Sequence, residues 1–155
     1  MRLYLVQHAD AMLKEEDPSK PLSGKGWKDI RNMAEYAQKH LSIQVAQIIH
    51  SGKLRARQTA EVLAEHLHPA KEVLVSKDLE PLANPTIWKK HLVETAEDTM
   101  LVGHLPHLQK LTGYLLTNDE NKQVVTFRNA GIVCLTRENG YWTIQWVMTP
   151  EILPQ

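Results

Sequence analysis

Two histidines and an arginine stand just past the ends of short apolar runs. His8 follows Leu3-Tyr4-Leu5-Val6-Gln7. Arg55 follows Ser51-Gly52-Lys53-Leu54, after a run that closes at His50. His104 follows Met100-Leu101-Val102-Gly103. In open α/β sheets, ligands sit beyond the carboxyl ends of strands. Three such ends can therefore deliver two imidazoles and a guanidinium to one pocket.

The chemistry such a trio could do is phosphoryl chemistry. A neutral imidazole attacks phosphorus and forms a phosphohistidine, which makes His8 the candidate nucleophile. Taken alone, His8 also reads as a histidine hydrogen-bonded at a strand end. Arg55 falls in the first turn of a helix that Ser51 is expected to cap. There the free N–H groups and the positive dipole end favour an anion, and a guanidinium adds a bidentate fork for phosphate oxygens. On spacing alone, Arg55 reads equally well as a solvated surface arginine, which is the reading for Arg57. His104 lies between Gly103 and a helix start. If protonated, it would stabilise charge on a transferring phosphoryl group; otherwise it is a capping or packing histidine.

Other chemistries lack their usual support. No Walker-type phosphate loop, GxGxxG or GxSxG occurs, so nucleotide-dependent and serine-hydrolase readings fall away. His107 has no carboxylate or cysteine close in sequence, so a zinc set is not expected. His66 and His68 read as surface residues near a helix end. No metal and no cofactor is expected.

The elements that must position the trio emerge from periodicity and turn chemistry. Residues 2–7 read as a buried strand, and the polar stretch 9–22 as a loop. Ser23 reads as an N-cap, with Trp27, Ile30, Ala34, Ala37 and Leu41 at helical spacing behind it. Residues 43–50 read as a second strand. Ala56, Ala60, Leu63 and Leu67 then form one stripe of a second helix. Glu72 to Val75 reads as a short strand, 79–85 as a loop, and 86–95 as a helix. Thr99 to Gly103 reads as a strand, and a helix runs from Pro106 to Leu116, with the proline in a first turn that needs no N–H. Residues 130–136 and 141–148 are apolar and β-branched, and Glu138-Asn139-Gly140 between them signals a hairpin. Strands alternating with helices, then a hairpin, define a three-layer α/β/α sandwich with a mostly parallel central sheet and a C-terminal antiparallel hairpin.

Composition is consistent with a single domain over residues 1–155. Basic and acidic residues balance at 18 each, which argues against a nucleic-acid binder. No stretch approaches the roughly 20 apolar residues of a membrane span. One cysteine, Cys134, allows no internal disulfide, and a cytoplasmic setting is the simplest expectation. Its surroundings, Gly131-Ile-Val-Cys-Leu, read as a buried strand. Trp88 and Trp142 are expected in the core, where an exposed one would instead mark a partner surface.

The segments taken together resemble the histidine phosphatase superfamily, and within it the small phosphohistidine phosphatase (SixA-like) branch. Gln7-His8-Ala9 stands at the Arg-His-Gly motif. Asp17-Pro-Ser-Lys20-Pro21-Leu22-Ser23 resembles Asp-x-x-Arg-Pro-Leu-Thr. Ser51 to Thr59 resembles Ser-Pro-x-x-Arg-Ala-x-Gln-Thr. Leu79-Glu80-Pro81 resembles a Leu-x-Pro loop, Gly103-His104-Leu105-Pro106 the second histidine motif, and Trp146 to Pro150 the closing strand. The resemblance implies a phosphatase in which His8 is phosphorylated and Arg55 and His104 hold phosphoryl oxygens. It also implies an anion pocket that includes Gln7 and Lys20. Reaction is in two steps without a metal, because positioned cations do the electrostatic work. Larger relatives carry an acidic residue after the third strand, for which Glu80 is the candidate here. The implied partner is a phosphohistidine-bearing protein, since an imidazole leaving group has least need of a general acid and the chain has no room for a large lid.

The chain departs from the pattern beside the nucleophile. Gln7 replaces an arginine and supplies no charge and no fork. The loss of a charge-assisted contact costs about 1.5–3 kcal/mol. Ala9 replaces glycine, and Lys20 and Ser23 replace arginine and threonine. Two other readings therefore stand beside the first: a catalytically silent phosphate- or phosphoprotein-binding module, and a phosphatase of small phosphoesters.

Overall fold

Leu3, Tyr4, Leu5 and Val6 are all buried, as expected of a strand covered on both faces. A computed structural model describes residues 1–154. Strand β1 (Arg2–Gln7) is followed by α1 (Gly24–His40), β2 (Gln47–His50), α2 (Leu54–Leu67), β3 (Leu74–Val75) and α3 (Pro85–Glu94). Then come β4 (Thr99–Gly103), α4 (His107–Thr117), β5 (Ile132–Glu138) and β6 (Tyr141–Met148). Short 3₁₀ turns lie at Lys77–Leu79 and Pro150–Ile152.

The six strands form one sheet in the order β3-β2-β4-β1-β5-β6. β1, β2, β3 and β4 pair in parallel; β5 runs antiparallel to both β1 and β6. Alternation along β1 sorts its side chains to two cores. Tyr4 and Val6 pack with Ile30, Ala34 and Ala37 of α1 and with Ala56, Ala60 and Leu63 of α2. Leu3 and Leu5 pack on the other face with Trp88 and Leu92 of α3 and Leu108 and Leu111 of α4. This is the three-layer sandwich read from the sequence, and the Asn139-Gly140 hairpin is as expected. Asn139 and Gly140 have φ of 52° and 81°, the left-handed pair that a two-residue hairpin loop requires.

Boundaries moved where pairing partners run out. β2 begins at Gln47 rather than residue 43, because its neighbour β4 begins opposite it at Thr99; Ile43 and Val45 are buried outside the ladder. β3 is reduced to Leu74 and Val75, which pair with Ile49 and His50. Ser23 caps α1 as expected, accepting from Gly26 N–H. Ser51 does not cap α2. The cap position is Lys53, with no side-chain bond, two residues beyond Ser51, whose hydroxyl accepts from the Lys53 N–H at 3.3 Å. Pro106 occupies the cap position of α4 rather than its first turn, and α4 ends at Thr117. Cys134 and Trp88 are buried as expected, and burial pushes the Cys134 thiol up to about 11. Among the described residues, no helix is long and apolar enough to cross a membrane.

Strand register sets the geometry of the carboxyl edge. Gln7 lies opposite Gly103, and His50 lies opposite Val102. The residues that come next in each strand therefore leave the same edge side by side.

Candidate active site

His8 is held by backbone bonds from three directions. Its N–H donates to Gly103 O at 3.0 Å, and its carbonyl accepts from Asn129 Nδ2 at 2.8 Å. The next N–H, of Ala9, donates to Thr59 Oγ1 at 3.0 Å. The ring is oriented as well: Nδ1 lies 2.7 Å from the Ala9 carbonyl. A carbonyl only accepts, so Nδ1 carries the proton, and in the neutral ring Nε2 is left with a lone pair. Burial, helped by the charges of Arg55 and Lys20, lowers His8 to about 4, against a smaller opposing pull from the Ala9 carbonyl and Asp10. The ring is neutral near pH 7.

Thr59 links two of these parts, since its Oγ1 also donates to Arg55 O at 2.8 Å. Arg55 is the second residue of α2. Its Nε is buried with no partner in the chain, and burial lowers its pKa. Arg57, by contrast, is exposed beside Glu61 at 3.5 Å. The His104 ring centre lies 5.0 Å from that of His8. His104 is 2% exposed, its Nε2 is 2.6 Å from Ser51 Oγ, and its Nδ1 has no partner. Burial first, then the neighbouring His8, Arg55, Lys53 and His107, lowers it to about 3. Gln7 closes β1 with its carbonyl bonded to Ala130 N–H at 3.0 Å and its Oε1 buried and unpartnered.

His8, Arg55 and His104 thus converge, Gln7 precedes His8 in the chain, and Gln7, Arg55 and His104 present buried polar atoms without partners. Such atoms are costly unless something bonds them. The donors among them, on a guanidinium and an imidazole, suit an oxyanion. An amide can be turned about its last torsion to offer its NH₂ in place of the oxygen. Lys20 sits on the β1–α1 loop with φ of 49°, close enough for its charge to act on His8. Glu80 comes directly after the 3₁₀ turn whose Leu79 carbonyl abuts Gly103; a Cβ there would lie 3.2 Å from that oxygen. Its backbone flanks the site. The carboxylate whose charge acts on His8 is that of Asp10, not Glu80.

Asp10 carries no motif signal in the sequence, although it lies two residues past His8. Its Oδ2 accepts from Ser23 Oγ at 2.6 Å, and its carbonyl accepts from Ser23 N–H at 3.0 Å. Gly26 is obligatory there, since a Cβ would come within 2.0 Å of the Asp10 carbonyl oxygen. Gln58 Oε1 accepts from Leu22 N–H at 2.8 Å and ties the Lys20 loop to α2. The motif from Ser51 to Thr59 contains Gln58 and Thr59 but does not reveal these tasks. Asn129 has no local signal at all, because its partner is 121 positions away.

A mostly parallel sheet with helices on both faces thus carries two histidines and an arginine at its carboxyl edge. The chain is similar in sequence and in fold to members of the histidine phosphatase superfamily. It is similar to the phosphohistidine phosphatase SixA of Escherichia coli K12, with 27% identity over 97% of this chain and 94% of that one. A solved structure of the protein histidine phosphatase SixA complexed with tungstate superposes with a TM-score of 0.84, at 26% identity over 97% of both chains. The alpha-ribazole phosphatase of Shigella flexneri shares the fold, with a TM-score of 0.78 and 12% identity over all of both chains. No protein-family model matches the chain.

Proposed function

We propose that this chain is a metal-independent phosphohistidine phosphatase that acts on a protein through a covalent intermediate on His8. One observation carries the reading: the Nδ1–H···O=C bond to Ala9 leaves an unprotonated Nε2 beside the unpartnered donor groups of Arg55 and His104. His8 Nε2 attacks phosphorus in line. The new N–P bond forms as the N–P bond to the substrate imidazole breaks; that ring, already protonated on its other nitrogen, leaves as a neutral imidazole, and His8 keeps its Nδ1 proton. Water then attacks the phosphorus on His8, releasing inorganic phosphate and restoring the neutral ring. Arg55 and His104 hold the phosphoryl oxygens throughout, Gln7 contributes an amide N–H, and Lys20 adds positive potential. The imidazole leaving group suits a site where, among the described residues, no acidic side chain hydrogen-bonds to His8 or His104. A cytoplasmic setting belongs to this reading, with Cys134 as a buried reduced thiol.

The test is trapping. The protein is mixed with a radiolabelled phosphohistidine-bearing protein, quenched in alkali and examined for acid-labile label. The expected result is label on His8 with release of phosphate, both absent in His8→Ala. Faster hydrolysis of phosphosugars than of phosphohistidine would instead assign small phosphoesters.

Gln7 favours one second reading, a phosphate- or phosphoprotein-binding module with little turnover. An uncharged amide stands beside the nucleophile with its buried oxygen unpartnered. Calorimetric binding of phosphate without label or turnover would select it.

A further inference from the structure

Ser51 was expected to cap a helix, yet its buried hydroxyl lies 2.6 Å from His104 Nε2. The same Oγ accepts from Lys53 N–H at 3.3 Å. Both side chains are almost fully buried, at 2% exposure each. A serine hydroxyl has one proton to donate, and among the described residues Nε2 is its one acceptor.

Two arrangements of protons are available. In the first, Ser51 donates to Nε2, which accepts with its lone pair, and the proton of neutral His104 is on Nδ1. In the second, His104 Nε2–H donates to Ser51. The serine proton then has no acceptor, and Nδ1 becomes a bare lone pair, buried and unpartnered. Each orphan of that kind is penalised in a buried site. A lone pair directed at a phosphoryl oxygen would also repel it. Protonating both nitrogens meets the same obstacle, because Nε2–H would again displace the serine proton. Burial and the surrounding cations disfavour the imidazolium as well.

We infer that Ser51 is a positioning residue that fixes His104 as the neutral Nδ1–H tautomer, so that His104 offers a phosphoryl oxygen an N–H rather than a positive charge. The inference rests on the proposed role of His104 as a phosphoryl-binding residue. It also changes the division of labour: Arg55 supplies the charge, while His104 supplies a directed neutral donor. The sequence left open a stabilising imidazolium, which this arrangement does not use.

The experiment is ¹⁵N NMR of the histidine side chains in the intact protein, free and saturated with inorganic phosphate. The expected spectrum has His104 protonated at Nδ1 and unprotonated at Nε2 in both states, with the Nδ1–H resonance moved by phosphate. In Ser51→Ala the tautomer preference should be lost and phosphate affinity weakened about tenfold. Ser51→Thr, which keeps the hydroxyl, should restore both. An Nε2–H tautomer, an imidazolium in either state, or an Nδ1–H indifferent to phosphate overturns the inference. So does a folded Ser51→Ala with unchanged tautomer and affinity. If Ser51→Ala does not fold, the wild-type spectra still decide. Failure of the phosphatase reading is separable: absence of turnover with a phosphate-responsive Nδ1–H rejects the activity and leaves the role of Ser51 standing.

Discussion

Gln7→Arg should convert the weakest part of the site into its strongest. Gln7 lies at the last rung of the β1–β4 ladder opposite Gly103, next to His8, the proposed nucleophile, with Oε1 buried and unpartnered. A neutral hydrogen bond there contributes about 0.5–1.5 kcal/mol and a charge-assisted one about 1.5–3. The gain of about 1–2 kcal/mol corresponds to roughly 5- to 30-fold tighter phosphate binding. If the fork tightens as charge develops in transfer, the rate gain extends toward about 10²–10³. The free protein should respond in the opposite sense. Arg55 and Lys20 already act on this pocket, and two like charges ~7 Å apart at an effective dielectric of ~20 repel by about 2 kcal/mol. The variant should therefore melt at a lower temperature without phosphate, and phosphate should raise its Tm more than that of the wild type. His8, already held at about 4, stays neutral under a further cation, so the nucleophile is not lost. The assay is kcat/KM for phosphate release from a phosphohistidine protein, with melting curves at several phosphate concentrations. A folded variant with kcat/KM unchanged or reduced, and no extra stabilisation by phosphate, refutes the idea that a missing guanidinium limits this site.

Thr59→Val removes the acceptor for Ala9 N–H and the donor to Arg55 O. It should cost about 1–3 kcal/mol in urea unfolding and lower kcat by loosening the turn that holds His8. Gly26→Ala puts a methyl group within 2.0 Å of the Asp10 carbonyl oxygen. Thermal melting should fall sharply, with loss of phosphate binding, because α1 and the Asp10 turn can no longer meet. His107 is fully buried with both ring nitrogens unpartnered, and burial lowers it to about 4. A lowered folded pKa means stability that is complete above the unfolded value of about 6.5 and is lost as pH falls toward 4. His107→Leu should therefore stabilise the protein by about 1–3 kcal/mol at pH 7, and by about 2 kcal/mol more at pH 5. Urea midpoints at the two pH values check the sign, and a variant less stable at both contradicts it.

Much of the molecule was legible because its signals are local. Alternation through Leu3-Tyr4-Leu5-Val6, the stripe at Ile30, Ala34 and Ala37, and Asn139-Gly140 each depend on neighbours a few residues away. The first strand, the first helix and the hairpin came directly from them. The errors came where a long-range partner sets the limit. Residues 43–46 have strand composition, but β4 offers them no ladder. Ser51 has the chemistry of a cap, but α2 starts two residues later, at Lys53, and the Ser51 hydroxyl pairs with a histidine 53 positions away.

The site divides the same way. The residue types made His8, Arg55 and His104 candidates for phosphoryl chemistry beside plainer readings, because nucleophilicity and charge are properties of side chains, and the family resemblance marked Gln7 as the departure. Only the tertiary structure decided which nitrogen of His8 is free and that Ser51 and His104 form a pair. It also brought Asp10 close to His8, and set Thr59 and Asn129 as the brackets of the His8 turn. Those outcomes depend on register. Gln7 meets Gly103 across one ladder and His50 meets Val102 across the next, and burial at that edge then sets the protonation of whatever emerges there.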